Sequence, residues 1–275
     1  MIVFAAIVPH SPLLLPTIGK EHQSKLAQTL AAYQEIEQAL YLAKAETLCI
    51  IAPHGPRYPD SFSANMAGSY QGTLKSFGDF STTVKAKSDY MLIDRAHRKM
   101  REEGLPFTLT SSEELDYSYS IPIILLTAHL QNWKLFPISP SMMDGKAHYE
   151  FGRQLKRVLH AETRRVAVIA SADLSHKLTA DSPGGPSAEG PKFDEAVKQG
   201  HESAVRLIVA NVPEGRQAAD ALADRFSAHV VVLGNFPDGQ GPDSFERLVR
   251  DNVSLLVKAD RKSTRLNSSH RLTSR

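Results

Sequence analysis

The sequence predicts an α/β protein built on a mixed, largely parallel sheet that helices cover. Short apolar runs of strand length alternate with longer stretches whose apolar residues recur at helical spacing, and this alternation is typical of β-α-β units. No internal repeat is visible, and no linker divides the body of the chain. We therefore expect a single domain over residues 1–260.

The first half of the chain contains two predicted strands and two predicted helices. The apolar run Ile2–Val8 ends at a proline and predicts the first strand, and Glu21–Ala43 carries apolar residues near helical spacing. Leu48–Ala52 is a short, continuous apolar run, which is typical of a strand buried on both faces. Asp89–Glu103 predicts a helix, because glycine and proline follow its last turn, as at many helix ends, beginning with Gly104.

The second half continues the same alternation. We expect helices and strands in this order: helix Ile121–Leu130, strand Lys134–Ile138, helix Lys146–Leu159, strand Val166–Ala170, helix Phe193–Val209, helix Glu214–Arg225, strand His229–Leu233 and strand Val253–Lys258. The apolar runs are too short for helices, and the longer segments have apolar residues at helical spacing.

Composition favours a cytoplasmic globular protein. Apolar residues make up 42% and charged residues 23% of the chain, which is ordinary for a protein with a buried core. No apolar run approaches the roughly 20 residues that a membrane-spanning helix needs. The N-terminal stretch lacks the basic start and small-residue cleavage site of a signal peptide, so we interpret it as a strand. The single cysteine, Cys49, cannot form an intrachain disulfide, which fits a reducing compartment.

The formal net charge of +2 comes from the last residues of the chain. Residues 261–275 contain five of the 32 basic residues and none of the 30 acidic ones, so the body carries a net charge of −3. A mildly acidic body argues against nucleic-acid binding through a basic face. The segment has neither helical nor strand periodicity, which predicts disorder. It also resembles read-through of a cloning or sequencing adapter, and we exclude it from the fold.

Three of the apolar runs are each followed closely by a histidine. His10 follows the first strand within Pro9-His10-Ser11-Pro12, His54 follows Leu48–Ala52, and His176 ends the segment Ser171–His176. Open α/β sheets bind ligands beyond the carboxyl ends of their strands. We therefore expect the three imidazoles to form a metal-centred active site.

The residue types leave the metal and the roles open. Two histidines and one carboxylate form the facial triad of non-haem Fe(II) enzymes, but zinc accepts the same ligands. His176 is suited to acid–base chemistry beside a metal, because the pKa of an imidazole lies near working pH. Asp173 either orients His176 or caps a following turn.

Five segments together resemble the class III extradiol ring-cleavage dioxygenases. The similarity is to their catalytic B subunit (LigB-like) and to the small B-like proteins related to the AmmeMemoRadiSam system, over about residues 1–260. It rests on these segments, in this order: Val8-Pro9-His10-Ser11-Pro12, Ala52-Pro53-His54-Gly55-Pro56, Glu114-Leu115-Asp116, Ser171–His176 and Glu189-Gly190-Pro191.

The resemblance implies a single αβα domain that holds Fe(2+) by two histidines and a glutamate. His10 and His54 would be the metal ligands, and His176 would be the catalytic histidine. The implied reaction is cleavage of a catechol-type diol by O2 beside its two hydroxyls, as in the breakdown of aromatic compounds. His176 would take a proton from the diol and return one later.

Two positions depart from the family pattern. Tyr117 stands where many relatives have a histidine after the acidic segment; it can donate a hydrogen bond, but a phenol with a pKa near 10 shuttles protons poorly at neutral pH. Asp224 is nearest to the position of the family's glutamate, before the run His229–Leu233. We expect Asp224 to be the third ligand; the alternative is a solvated helix residue paired with Arg225.

Two alternatives to a dioxygenase remain. One is a catalytically silent family member that keeps the pocket as a binding module, and the other is a zinc hydrolase that uses a metal-activated water. The expected partners are a small aromatic diol and O2, with neither nucleic acid nor membrane. Symmetric homo-oligomers are common among soluble proteins, so we expect one here. The resemblance also allows a small separate partner subunit.

Overall fold

The structure is a computed structural model that describes residues 1–180, 182, 185–204, 207–211 and 229–233. The chain divides into two compact units, Met1–Leu174 and a second that begins at Ser175, and each is considered by itself. The predicted domain end at residue 260 and the tail 261–275 lie outside the described residues, so the single domain and the disordered tail stay predictions. No helix in the described ranges is long and apolar enough to cross a membrane.

The first unit is built on a sheet of nine strands. These are β1 (Ile2–Val8), β2 (Thr47–Ile51), β3 (Phe62–Asn65), β4 (Ser69–Leu74), β5 (Asp79–Ser88), β6 (Phe107–Thr110), β7 (Glu114–Leu115), β8 (Lys134–Ser139) and β9 (Val166–Ser171). Its helices are α1 (Pro16–Gly19), α2 (Ala27–Leu42), α3 (Tyr90–Glu102), α4 (Tyr117–Leu126) and α5 (Gly145–His160), with 3₁₀ turns at Pro12–Leu14, Lys20–Leu26 and Lys75–Phe77.

The strand order β1-β9-β2-β8-β5-β4-β7 is mostly parallel. β9 lies between β1 and β2 and is parallel to both, and β2 is parallel to β8. Antiparallel pairing joins β4 to β5 and β3 to β8. This mixed, largely parallel sheet confirms the predicted fold class. It also brings the carboxyl ends of β1, β9 and β2 to the same edge.

Helices cover both faces of the sheet, and β2 contributes to both cores. Leu48 and Ile50 pack in a cluster with residues of α2 and α4, whereas Cys49 packs in a second cluster with residues of α3 and α5. All three side chains are buried. The prediction of a strand buried on both faces is therefore confirmed.

Strands with continuous apolar sequence were predicted well, and polar strands were missed. The bounds predicted for β1, β2, β8 and β9 agree with the structure to within one residue at each end. Sequence analysis did not predict β3 to β7; β5, for example, alternates exposed polar and buried residues in Asp79–Ser88. The predicted helix Ile121–Leu130 was placed too late, because α4 begins at Tyr117, after the N-cap Asp116. The predicted helix Glu21–Ala43 is a 3₁₀ turn over its first residues.

The second unit contains α6 (Glu189–Ala204) and two parallel strands, β10 (Leu207–Asn211) and β11 (His229–Leu233). The predicted strand His229–Leu233 is confirmed. The predicted helix Phe193–Val209 was wrong at its end, because the β-branched run that includes Ile208 and Val209 forms a strand. The predicted helix Glu214–Arg225 and strand Val253–Lys258 lie outside the described residues.

A buried carboxylate, that of Asp89, contacts three elements of the first unit at the edge of the sheet where β2 and β9 begin. Asp89, the N-cap of α3, is fully buried. It accepts hydrogen bonds from Arg164 Nη1 at 2.7 and 2.8 Å and from Thr47 Oγ1 at 2.5 Å. Asp89→Ala is expected to lower the free energy of unfolding by about 3 kcal/mol, because the cap is lost and Arg164, only partly exposed, keeps only its ion pair with Glu162.

Urea denaturation of the full chain measures this loss. The matched control is Asp94→Ala on the same helix, which removes an exposed ion pair with Arg98 and should cost less than about 0.5 kcal/mol. Equal losses of unfolding free energy in the two variants would contradict a larger stabilising contribution from the buried Asp89.

Candidate active site

His10 and His54 lie together at the carboxyl edge of the first unit's sheet. His10 follows β1 and His54 follows β2, two strands of the parallel group β1-β9-β2-β8, each in a turn that begins with Pro9 or Pro53. The centroids of the two imidazole rings are 5.1 Å apart, and the ring planes are nearly perpendicular. The structure therefore brings together the two histidines that the sequence predicted as metal ligands.

Packing fixes both turns. The phenol of Tyr33, on α2, donates a hydrogen bond to the carbonyl oxygen of Pro9, directly before His10. After His54, the chain passes so close to β8 that a Cβ on Gly55 would lie 2.1 Å from Ser139 Oγ. A larger side chain at position 55 would require the hydroxyl groups of Ser139 and Tyr119 to move, so the turn after His54 packs closely against β8 and α4.

Hydrogen bonding determines which nitrogen of His10 carries a proton. The hydroxyl of Ser171, at the end of β9, donates to the carbonyl oxygen of Ser118 at 2.6 Å, and its oxygen lies 3.1 Å from His10 Nδ1. Because the single proton of Ser171 is used by Ser118, Nδ1 of His10 must carry hydrogen and donate to Ser171. Nε2 is then the nitrogen of His10 that can bind a metal.

Asp173 brings negative charge against this nitrogen. Its Oδ1 accepts the backbone N–H of His10 at 3.1 Å, and its Oδ2 lies 3.3 Å from Nε2. A neutral imidazole protonated on Nδ1 would turn the Nε2 lone pair toward the carboxylate, which is repulsive. A cation near both atoms, either a ring proton or a metal ion, removes the repulsion. Asp173 thus contacts the predicted metal ligand, and the roles considered for it from sequence, orienting His176 or capping a turn, stay predictions.

Tyr117 packs against both histidines. Its ring stacks on His54 with centroids 5.0 Å apart and meets His10 at 5.7 Å. Partial burial, together with the negative charges of Asp116 and Asp173, raises the pKa of the Tyr117 phenol above its usual value. The phenol therefore stays protonated at neutral pH, so it can donate a hydrogen bond but does not release its proton.

His176 belongs to the second unit, where contacts hold the turn around it. The backbone N–H of Ser175 donates to Asp194 Oδ1 at 2.8 Å, and that of Lys177 donates to Ser175 Oγ at 3.1 Å. A Cβ on Gly190 would lie 2.6 Å from the Lys177 carbonyl oxygen, so the start of α6 passes close against this turn. The backbone that carries His176 is therefore anchored within its own unit.

The residues around His10 fit a metal in part. Imidazole nitrogen and carboxylate oxygen are the ligand types that ferrous iron and zinc accept. Within the described ranges, however, no group of three His, Cys, Asp or Glu side chains is arranged to hold a metal ion. The predicted third ligand, Asp224, lies outside those ranges. The described part of the chain supplies two histidines and a neighbouring carboxylate.

Sequence reasoning missed two groups that shape the site, Tyr33 and Ser118. Tyr33 lies within the predicted helix Glu21–Ala43, for which only the spacing of apolar residues was considered, although its hydroxyl holds the turn before His10. Ser118 contributes its backbone carbonyl, which no side-chain pattern reveals. Ser171 stood within a recognised segment, but only the position of β9 between β1 and β2 brings it to His10.

Comparison with known proteins gives two matches. Residues 4–240 match the family described as the catalytic LigB subunit of aromatic ring-opening dioxygenase. A relative from Clostridium acetobutylicum, protein CA_C1420, is 23% identical over 273 residues, which cover 90% of this chain and 58% of the relative. The chain thus spans little more than half the length of that relative, whose name states no activity.

Proposed function

The chain belongs to the family of catalytic LigB subunits of aromatic ring-opening dioxygenases, and we propose that it cleaves a catechol-type diol with O2. The reaction would be extradiol, with the ring opened beside the two hydroxyls. The observation that carries the proposal is the convergence of His10 and His54, whose rings lie 5.1 Å apart at one sheet edge. Both lie within the matched segment.

Fe(2+) is the proposed metal, held by His10 and His54. The hydrogen bond from Nδ1 of His10 to Ser171 leaves Nε2 as its ligand atom. Asp224 is the proposed third ligand, from the carboxylate position expected before His229–Leu233. When bound, the iron would supply Lewis acidity and open coordination positions for the diol and O2.

The side chains around the pair provide orientation and proton transfer. Asp173, 3.3 Å from His10 Nε2, adds negative charge that favours a cation at this nitrogen. Tyr117 covers the two imidazoles and, as a protonated phenol, can donate a hydrogen bond to an oxygen of the diol. His176 is proposed to accept the proton from one diol hydroxyl and to return it to the opened product.

Anaerobic purification followed by metal analysis and oxygen uptake tests this function. We expect about one iron per chain and consumption of one O2 for each molecule of an alkylcatechol. Both atoms of isotopically labelled O2 should appear in the ring-opened product. A neutral alkylcatechol is the appropriate first substrate, because its recognition depends little on charged groups.

The alternatives give different results. A zinc hydrolase would contain zinc and act without oxygen uptake. A silent family member would neither consume O2 nor alter the diol when fully loaded with iron. Either result would refute the proposed dioxygenase.

A further inference from the structure

A proline inside α4 removes one of the backbone donors of that helix. In an α-helix, each backbone carbonyl accepts a hydrogen bond from the N–H four residues later. The residue four positions after Ser118 is Pro122, which lies inside α4 and has no N–H. Ser118 is fully buried, and a buried carbonyl is destabilising unless a donor reaches it. The Ser118 carbonyl therefore favours a donor from outside its own helix.

The hydroxyl of Ser171, at the end of β9, provides that donor. It lies 2.6 Å from the Ser118 carbonyl oxygen, in a buried contact. Since a hydroxyl has one proton, Ser171 can only accept at its other contact, which is His10 Nδ1 at 3.1 Å. The absence of an N–H at Pro122 thus favours one direction for both hydrogen bonds, with the ring proton of His10 on Nδ1.

Asp173 favours the opposite arrangement of the same ring. Its Oδ2 lies 3.3 Å from His10 Nε2, where a carboxylate readily accepts a proton carried by that nitrogen. In a neutral imidazole, a proton on Nε2 occupies the lone pair with which this nitrogen would bind a metal. Nδ1 would then accept from Ser171, whose hydroxyl could no longer donate to Ser118. The groups on the two sides of the ring therefore compete for the position of its proton.

We propose that Ser171 is the positioning residue of His10. It keeps the lone pair of Nε2 available to a metal, although Asp173 favours a proton there. The origin of this arrangement is Pro122, because its missing N–H commits the proton of Ser171 to Ser118. The inference rests on the proposed function in taking Nε2 as the ligand atom, and it goes beyond that function by identifying the residues that determine it.

Nitrogen-15 NMR of the metal-free, full-length protein shows directly which ring nitrogen carries hydrogen. Histidine labelled at both ring nitrogens gives different shifts for a protonated nitrogen and for one with a lone pair. In mildly alkaline buffer, Nδ1 of His10 should carry hydrogen in the parent protein. In Ser171→Ala the proton should move to Nε2, because alanine offers Nδ1 no acceptor. Ser171→Thr keeps a hydroxyl and should restore the parent pattern, and His10→Asn identifies the signals.

Pro122→Ala tests the origin of the arrangement without a change at the site itself. Alanine is favourable inside a helix, so α4 should persist, and its N–H can donate to the Ser118 carbonyl. Ser171 can then turn its proton toward His10, and we expect Nε2 to carry hydrogen in a larger fraction of the molecules than in the parent. The matched control is Ile123→Ala, which removes buried volume from the same helix but adds no N–H. It should leave the proton on Nδ1.

Metal affinity measures the consequence for the site. Loss of an outer hydrogen-bond partner of a ligating histidine typically lowers metal affinity by about 10–100-fold, and we expect a loss of this size in Ser171→Ala. Co(2+) is the probe, since its visible absorbance reports binding without any turnover. Ser171→Thr should bind Co(2+) nearly as tightly as the parent protein.

The outcomes separate this inference from the proposed function. If the proton stays on Nδ1 in Ser171→Ala, the inference is overturned, even if diols are cleaved and even if Co(2+) binds more weakly. An unchanged proton position in Pro122→Ala overturns the role of Pro122. A proton that moves to Nε2 in Ser171→Ala and returns in Ser171→Thr supports the inference, even if no diol consumes O2. In that last case only the proposed function fails.

Discussion

Iron content and ring cleavage should both be lost when His54 is replaced by alanine. The imidazole is proposed to bind the metal directly, and loss of an outer hydrogen-bond partner of a metal ligand alone typically costs about 10–100-fold in affinity or activity. We therefore expect diol-dependent oxygen uptake to fall by at least about a thousandfold, with iron below stoichiometric levels after desalting. Metal analysis and an oxygen electrode measure the two effects.

His54 is a better test than His10. His54 is exposed, so its removal leaves no hole in the core, whereas His10 is 2% exposed and hydrogen-bonded to Ser171. His10→Ala should give the same loss of iron, accompanied by a lower free energy of unfolding. Circular dichroism and urea denaturation distinguish loss of the metal from loss of the fold.

A matched control is His22→Ala, which removes an exposed imidazole that lies beside Glu21. Iron content and oxygen uptake should be unchanged in this variant. Full iron content and full activity in His54→Ala would remove His54 from the metal site. Loss of activity with iron retained would make His54 a substrate contact instead.

The sequence alone predicted the two histidines but not their surroundings. His10 and His54 were identifiable because each follows an apolar run and lies in a proline-bracketed turn, and parallel strands end at one edge of a sheet. Strand order is not encoded in such local patterns. β9 follows β1 in the sheet although more than 150 residues separate them in sequence, and only this pairing brings Ser171 and Asp173 to His10.

The errors in secondary structure have a related cause. β2 and β9 are continuous apolar runs, because both of their faces are buried, and local sequence is then sufficient. β5 lies near the edge of the sheet and alternates polar with apolar residues, so burial of one face had to be known before the strand could be recognised. β10 was merged into a predicted helix, because a short apolar run can continue a helical pattern equally well.

Replacing His176 should separate metal binding from proton transfer. His176→Ala is expected to keep its iron and to lower kcat by about 10²–10⁴-fold, the usual contribution of a general acid or base. The local backbone should persist, because the hydrogen bonds from the backbone N–H groups of Ser175 and Lys177 to Asp194 and Ser175 remain in this variant. Iron analysis and steady-state oxygen uptake measure both parts of the prediction.

The pH profile gives a second readout for the same residue. If His176 accepts the diol proton, a rise of kcat/KM with pH in the parent protein should be lost in the His176→Ala variant. His176→Gln keeps the polarity and nearly the size of the side chain but cannot carry a proton, so it should resemble His176→Ala.

Lys177→Ala is the matched control for this turn. The described contacts of Lys177 within the second unit are made by its backbone N–H and carbonyl, both of which alanine retains. Its activity and pH profile should therefore match those of the parent protein.

If iron is lost together with activity in His176→Ala, His176 is a ligand and the proton must be carried by another group. If His176→Ala keeps both full activity and the pH-dependent rise, His176 takes no part in the reaction, and the proposed division between a ligand pair and a proton carrier fails.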